Sequence, residues 1–329
     1  MSEFGPSPTP EEATGIEEKE TQGIAIAHEI AELRISARSE ADYEAVLKKT
    51  RELRRFFAVG SESRLSGEVI EQMRRAREII GKENFVGPPE IQIAFGFEPE
   101  LSTVPEIPFT EDDLEKAKEL EQMLVLRVDK APDGSPLTMQ KIKEITGNKV
   151  KDGGEVFYDQ DWYEDEEFYK GETVNAGWAL VSKEFIPEST SKNYLEQTEV
   201  AIDYLRNQVF AGKPLPKEYQ DAIDEFESQK TEIAGLLGSD WQSASEKLAK
   251  LSITGLIRQS PVEAIYDLTT HFQNTEERLL PEAYAWTSRR DSGGSLVDVG
   301  DVGSDGVGVY DDGPGDRRGL LGVSFSRSL

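Results

Sequence analysis

The sequence contains no cysteine and only two histidines. The absence of cysteine excludes a disulfide framework, a thiol nucleophile and a zinc–thiolate site. Positive charge is also scarce, since 64 Asp and Glu residues outweigh 37 Lys and Arg residues and give a formal net charge of −27. Nucleic acids and anionic membranes bind basic surfaces, so this charge argues against either as a partner.

Long apolar segments are absent as well. No run approaches the roughly 18–20 residues of a membrane span. The first twenty residues lack the basic and apolar regions of a signal peptide. A cytoplasmic location and no membrane insertion are therefore the default expectations. With 37% hydrophobic residues in 329, the chain can still build a sizeable core.

Catalytic patterns are equally scarce. His28 lies within an amphipathic helical pattern and His271 is next to Phe272, and neither has a nucleophile motif beside it. No G-x-S-x-G elbow and no phosphate-binding loop occurs in the sequence. We therefore expect no enzyme activity, no catalytic residue, no resident metal and no cofactor.

The hydrophobic pattern predicts an α+β protein. Apolar residues recur at three- and four-residue steps in two segments before Gly81, which favours an N-terminal helical hairpin that packs or mediates homo-oligomerisation. A short helix is predicted to begin at Thr110-Glu-Asp-Asp113, where Thr110 can cap it, another at Thr138–Thr146, and a longer helix is predicted to open at Ser191. Strands are predicted at 123–129, 177–185, 295–299, 306–310 and 321–326. The predicted organisation is a disordered acidic tail at 1–20, the hairpin at 21–83, a linker at 84–109 and a mixed domain at 110–329 with extra helices at 215–273.

The last segment of the chain lacks five residue types. From Thr287 to Leu329 there is no Lys, Glu, Gln, Met or Trp, although 19 Lys and 43 Glu occur before it. At the frequency of the preceding residues, about nine Lys and Glu would be expected there. Valines alternate with Gly, Asp and Ser through this segment, which is typical of strands with one buried face rather than of flexible low complexity.

Two acidic segments raise the question of a metal site. The tail has seven Asp residues among many Gly, but no complete copy of the calcium-binding β-roll repeat. In YDQDWYEDEEFY (158–169), Asp159, Asp161 and Glu164 are candidate ligands. Asp and Gly supply the positive φ angles of tight turns, so a tight turn is favoured for GSDGVG in the tail. The chain's overall acidity favours a solvated loop with aromatic residues at 158–169.

The tail resembles a known family. Trp286-Thr-Ser-Arg289, S-L-V-D-V-G, S-D-G-V and L-G-V-S-F-S-R at 321–327 are similar to the end of the C-type-lectin-like, formylglycine-generating-enzyme-like fold in variable proteins of diversity-generating retroelements. In that family, a template repeat is copied with errors at its adenines, so that an Asn codon can become any codon that ends in a pyrimidine. Such codons never encode the five missing residue types. Formylglycine chemistry itself requires cysteines, which this chain lacks.

The resemblance implies a non-enzymatic ligand-binding protein. It implies a C-type-lectin-like domain with a helical insertion at 215–273 and a variable region at 287–327. The partner would be a protein or cell-surface ligand. Valines of the tail would pack the sheet with Trp286 behind it. The candidate ligand-binding positions are Asp298, Asp301, Val302, Gly308, Tyr310, Asp311, Asp312, Gly313, Asp316, Arg317, Arg318 and Leu320.

Two other hypotheses stay open at the level of sequence. One is an acidic helical adaptor or oligomerisation protein, which the helical patterns at 22–81 and 215–273 favour. The other is a calcium-dependent lectin-like carbohydrate binder, although the sequence lacks an E-P-N sugar-binding triplet. An adaptor should stay folded and able to bind its partner after deletion of 287–329, whereas a truncated chain that folds but no longer recognises its target would favour the variable-protein hypothesis.

Overall fold

A computed structural model describes residues 67–99 and 103–328, together with Lys49. The chain divides into two units, Met1–Arg64 and Leu65–Leu329, and the description below concerns the second. The predicted tail at 1–20 and the first helix of the predicted hairpin lie outside the described residues. The unit boundary follows Arg64, whereas the sequence placed domain boundaries at 83 and 109.

Helices and strands of the second unit form an α+β fold. The helices are α1 (Gly67–Ile80), α2 (Pro88–Phe95), α3 (Glu111–Glu119), α4 (Met139–Thr146), α5 (Glu167–Lys170), α6 (Tyr194–Tyr204), α7 (Lys217–Leu236), α8 (Trp241–Lys250), α9 (Ser252–Ile257) and α10 (Pro261–Thr275). The strands are β1 (Phe85–Val86), β2 (Gln122–Arg127), β3 (Gly177–Phe185), β4 (Tyr284–Arg290), β5 (Leu296–Gly303), β6 (Gly306–Asp312), β7 (Leu321–Gly322) and β8 (Ser324–Ser328). No helix within the described ranges is long and apolar enough to cross a membrane.

Several helices begin at side chains that cap their free amides. Thr110 accepts a hydrogen bond from the Asp113 amide at 3.2 Å, and its own amide donates to the Asp113 carboxylate at 3.1 Å, as the sequence predicted for α3. Thr138 caps α4 by accepting a hydrogen bond from the Lys141 amide at 3.1 Å. The helix predicted to open at Ser191 instead begins after Asn193, whose side chain accepts from the Glu196 amide at 2.9 Å.

The first sheet has the strand order β1-β2-β3-β8. Strand β2 runs parallel to β1 and antiparallel to β3, with Leu124 opposite Leu180. Strand β8 pairs antiparallel with β3, so nearly the last described residues complete the sheet. The predicted strand at 177–185 is confirmed as β3, and the predicted strand at 123–129 is β2.

The second sheet has the strand order β6-β5-β4-β7. Strands β4, β5 and β6 form an antiparallel meander, and β7 pairs parallel with β4. The single strand predicted at 321–326 is two strands in the structure, since β7 belongs to this sheet and β8 to the first. Val323, which lies between them, is fully buried. This short connection ties the two sheets together.

The segment predicted as a linker at 84–109 is part of the core. Phe85 and Val86 form β1, and the side chains of Ile91 and Phe95 on α2 are buried in the main hydrophobic cluster. Proline begins α2 at Pro88, a position where its missing amide hydrogen has no partner in the helix. The prolines that suggested a linker therefore mark the start of a short buried helix.

Helix α10 is central to the fold rather than part of a peripheral insertion. All of its residues from Pro261 to Gln273 are buried, and it packs against β2, β4, β5 and α2. The Arg127 guanidinium of β2 contacts Asp267 at 2.5 Å and Glu263 at 3.1 Å, and all three side chains are buried. Burial opposes the charge on Arg127, but the two carboxylates outweigh it and raise its pKa. This buried ion cluster joins α10 to the first sheet.

The second sheet separates two hydrophobic clusters. Successive residues of a strand point to opposite faces. Val297 and Val299 of β5 therefore enter the main cluster with α10, whereas Leu296 enters a second cluster built largely by α6–α9. Trp286 of β4 is also buried in this second cluster, as the sequence predicted. One end of the second sheet is thus covered on both faces.

Candidate functional site

The structure divides the twelve candidate positions into exposed and buried groups. Gly313 is half-buried, and seven others are exposed: Asp301, Tyr310, Asp311, Asp316, Arg317, Arg318 and Leu320. Asp298, Val302, Gly308 and Asp312 are buried, which contradicts their expected place on the exposed surface. Val302 joins the main hydrophobic cluster, so it belongs to the framework.

Two tyrosines dominate the exposed part of this surface. Tyr310 on β6 and Tyr284 on β4 pack edge to face, with ring centroids 5.3 Å apart. The Tyr284 hydroxyl donates to Asp301 Oδ2 at 3.0 Å. Gly308 gives the Tyr310 ring its place, because a Cβ on Gly308 would lie 2.4 Å from the ring. Tyr310 is 37% exposed, which leaves a large part of its ring free for contact.

Two carboxyl groups lie beside the tyrosines on the same face of the sheet. Asp298 is opposite Tyr310 in the β5–β6 register, and Asp312 is opposite Leu296. The surface formed by Tyr284, Asp298, Gly308, Tyr310 and Asp312, with Arg318 and Leu320 at its margin, is called the tyrosine face below. On this face Gly308 lies against the Tyr310 ring, and Asp298 lies between Trp286 and Tyr310 in the strand register.

The electrostatics of the tyrosine face are dominated by its buried acids. Burial raises the pKa of Asp298 well above the usual range, and the neighbouring Asp312 raises it further while Arg318 opposes the shift. Burial also raises the pKa of Asp312, to about 6, although Arg318 forms an ion pair with it. The Asp312 carboxyl group therefore loses its proton between mildly acidic and neutral pH.

Two buried polar atoms on neighbouring strands have no partner. Within the described part of the chain, Asp298 Oδ2 accepts no hydrogen bond, and the indole nitrogen of Trp286 donates none. Asp298 and Trp286 are directly opposite each other in the β4–β5 register. An unsatisfied buried polar group is costly to folding, so a pair of them on adjacent strands is unusual.

The loop after β6 is fixed to α6. Arg317 binds both carboxylate oxygens of Glu196 at 2.9 Å, and the Tyr194 amide donates to the Pro314 carbonyl at 3.2 Å. The Ser191 amide donates to the Arg318 carbonyl at 3.0 Å. Arg317, predicted as an interface anchor, therefore has an acidic partner of its own. The loop presents Leu320 and Arg318 from a fixed backbone.

The acidic segment at 155–169 covers the free edge of β6. Phe157 pairs with Val307 in a parallel bridge, and the Trp162 indole donates to the Val309 carbonyl at 2.9 Å. An exposed strand edge invites pairing with other chains, so this cover protects β6. Among the residues that the structure describes, no group of three or more His, Asp or Glu is arranged to hold a metal ion. Asp159, Asp161 and Glu164 accordingly form no ligand set.

The same segment adds aromatic surface that sequence reasoning missed. Tyr158 and Trp162 are both partly exposed, and the Tyr158 amide donates to the Val307 carbonyl at 3.1 Å, which places this segment alongside β6. Tyr284 was missed as well, because its strand was not recognised. The aromatic residues between the acids at 158–169 were the one signal that pointed to this contribution.

The histidines do not contribute to the tyrosine face. His28 lies outside the described residues. His271 is buried in α10, where its Nε2 contacts Glu277 Oε2 at 3.0 Å and burial lowers its pKa. It therefore belongs to the packing of α10.

Comparisons with known proteins yield no match. No model of a known protein family matches the chain, and neither a curated protein nor a solved structure does. Functional interpretation of the tyrosine face therefore depends on its own residues and geometry.

Proposed function

We propose that this chain is a non-enzymatic ligand-binding protein of the kind found as variable proteins of diversity-generating retroelements. Its recognition surface is the tyrosine face together with the loop from 313 to 320. The observation that carries the proposal is the division of the tail after Trp286 into a buried framework and a neighbouring set of exposed side chains.

The framework depends little on the exposed positions. Val297, Val299, Val307 and Val309 are at most 4% exposed and pack in the main cluster. Phe325 is fully buried in the second cluster. Substitutions at exposed positions that make few packing contacts usually change stability by less than about 0.5 kcal/mol. The surface can therefore change while the sheet stays folded.

The topology supports a C-type-lectin-like domain. The late strand β8 returns to pair with β3, while β4, β5 and β6 form a separate antiparallel sheet. In such an arrangement, the first sheet, completed by β8, forms the scaffold, and the second sheet carries the recognition surface. Helix α10 lies in the core of this unit, so only the helices α7–α9 would be the family-specific addition.

The exposed residue types suit recognition of a protein. Tyr, Trp and Arg dominate the energetics of protein interfaces because they combine large contact area with few rotatable bonds or several donors. Tyr310, Tyr158, Trp162 and Arg318 supply these types around the tyrosine face, and Leu320 adds an exposed apolar side chain.

A genomic observation tests the origin of the surface. The DNA beside the gene should contain a near-copy of the segment that encodes residues 287–327, next to a reverse transcriptase gene. The two copies should differ chiefly where the near-copy has adenine. Flanking DNA that contains neither element would contradict the retroelement part of the proposal.

A display experiment tests the division between framework and surface. One library randomises exposed positions: Asp301, Tyr310, Asp311, Asp316 and Leu320. A matched library randomises framework positions: Val297, Val299, Val307, Val309 and Phe325. We expect most members of the first library to be displayed folded and most of the second to be lost. Equal loss from both libraries would contradict a recognition surface that tolerates change.

A further inference from the structure

The tyrosine face contains two buried carboxyl groups and one exposed arginine. In the β5–β6 register Asp298 is paired with Tyr310, which is two residues before Asp312 on β6. The two acids are therefore diagonal neighbours on the same face of the sheet, and they are 2% and 6% exposed. The Arg318 guanidinium contacts the Asp312 carboxylate, although the Arg318 side chain is 62% exposed. Within the described residues no other cation forms an ion pair with either acid.

This ion pair stabilises the charge on Asp312 only in part. An arginine that stays largely in water gains little from pairing, because the solvent screens the interaction. Burial therefore outweighs Arg318 and raises the pKa of Asp312 to about 6. Burial and the neighbouring Asp312 raise the pKa of Asp298 as well. Of two close carboxyl groups one ionises only at a higher pH than the other, so the first ionisation leaves a single negative charge beside Arg318.

The other charged and titratable groups around Asp312 have fixed roles of their own. Asp311 points to the opposite face of β6, since side chains alternate along a strand. Asp316, in the exposed part of the loop, accepts a hydrogen bond from the first amide after β6 at 3.0 Å. Arg290 of β4 lies two strands away, where it donates to a carbonyl of the β4–β5 turn at 3.3 Å. The Tyr310 hydroxyl stays neutral, since burial raises its pKa.

The preceding arginine of the same loop has a partner of a different kind. Arg317 donates to both carboxylate oxygens of Glu196 at 2.9 Å, and the Glu196 side chain is 39% exposed on α6. The hydrogen bond from Arg317 lowers the pKa of Glu196, whereas that of Asp312 is raised. Acidification therefore protonates Asp312 before Glu196, so the two ion pairs of the loop should break at different pH.

Building on the recognition role proposed above, we propose that the Asp312–Arg318 ion pair is a proton-controlled switch in the recognition surface. Ionised Asp312 holds the Arg318 guanidinium, whereas protonated Asp312 releases it to pair with a carboxylate of the partner protein. The backbone does not need to move, since the Ser191 amide donates to the Arg318 carbonyl at 3.0 Å and Arg317 stays bound to α6. A partner that presents a carboxylate to Arg318 should therefore bind more tightly in mildly acidic than in neutral solution.

NMR of the arginine side chains tests the switch without any ligand. The guanidinium carbon signals of the full chain are followed from about pH 4.5 to about pH 8, and Arg318→Gln assigns the Arg318 signal. We expect the Arg318 signal to change with a midpoint at about pH 6 and the Arg317 signal to stay constant over this range. In the Asp312→Asn variant the Arg318 signal should stay constant too. Equal titration of the two arginines, or no titration of Arg318 in the wild type, would overturn the proposal.

A selected peptide then tests the consequence for recognition. A random peptide library on phage is panned against the protein at about pH 5, and a histidine-free peptide that loses binding to Arg318→Gln is chosen. From about pH 5 to about pH 7.5 we expect its affinity to fall by up to about thirtyfold, because the protonated fraction of a group with a pKa of about 6 falls by that factor. Asp312→Asn should keep the high affinity at both pH values. Glu196→Gln, which removes the partner of the preceding arginine instead, should retain the pH dependence.

The selected clones also distinguish failure of the switch from failure of the recognition role. Clones that depend on Tyr310 but not on Arg318, or that depend on Arg318 equally at both pH values, would overturn the switch alone. Clones that are indifferent to Tyr310→Ala and Arg318→Gln would overturn the recognition role as well. Should Asp312→Asn fail to fold, the carboxyl carbon signal of Asp312 in the wild type gives its titration directly. A midpoint at the ordinary Asp value of about 3.9 would then overturn the switch.

Discussion

Replacement of Asp298 by asparagine should stabilise the protein at neutral pH. Asn has the shape of Asp but carries no charge, so the change removes the cost of burying an ionised group. In the folded protein the pKa of Asp298 is raised by burial and by Asp312 and Asp311, and Arg318 only partly opposes this. The unfolded chain has an ordinary Asp pKa of about 3.9.

The size of the effect follows from the linkage between protons and folding. Below about pH 4 the carboxyl group is protonated in both states, so the Asp298→Asn variant and the wild type should be similarly stable. Above that pH the unfolded wild type loses its proton first, and its free energy of unfolding falls relative to the variant by at most about 1.4 kcal/mol per pH unit. The difference stops growing at the folded-state pKa of Asp298.

Urea denaturation followed by circular dichroism, from about pH 4 to about pH 8, measures this difference. Asp305→Asn is the matched control, since Asp305 is exposed in the turn between β5 and β6 and asparagine suits turns. We expect parallel curves for the control and the wild type, and a curve for Asp298→Asn that diverges upward with pH. An Asp298→Asn curve parallel to the wild type at every pH would refute the argument that this carboxyl group is buried without a partner.

Three further predictions concern the framework. Arg127→Leu should destabilise the protein by about 3–5 kcal/mol, because it removes the one cation that Asp267 and Glu263 share and leaves two carboxyl groups buried without it, and urea denaturation measures the loss. Gly300→Ala should abolish folding at physiological temperature, since its Cβ would lie 2.0 Å from a main-chain carbonyl oxygen beside β4; a normal thermal transition would contradict this. Phe325→Ala should cost about 3–5 kcal/mol, whereas Tyr310→Ala should cost clearly less, and equal losses in thermal melts would refute the distinction between framework and surface.

Local sequence signals predicted much of the fold. The continuous apolar run of β3 and the helix starts at Thr110 and Thr138 placed their elements correctly, because the relevant signals are local in the sequence. Strand β4 was missed, since YAWTSRR shows little alternation and is stabilised by strands on both sides. The division of 321–328 between two sheets was also missed, because hydrophobic alternation does not specify which sheet a strand joins.

The candidate surface was also predicted only in part, because local sequence signals do not specify tertiary neighbours. Asp298 was assigned to the exposed set because it alternates with Val297 and Val299, which is correct for its face of the strand. Its cross-strand neighbours on that face are Trp286 and Tyr310, and the spacing of the sequence does not reveal that the strands place these two side chains beside it. The contribution of Tyr284 and Trp162 likewise depends on tertiary contacts that no spacing in the sequence reveals.

The late return of β8 to the first sheet has a consequence for synthesis of the protein. A polypeptide that stops before Ser324 leaves one side of β3 without its hydrogen-bonded neighbour and the second cluster without Phe325. Translation must therefore run through the entire tail before the core can close. A frameshift or premature stop introduced into the tail would yield a misfolded chain that cellular proteases remove, so only intact reading frames would reach the folded population.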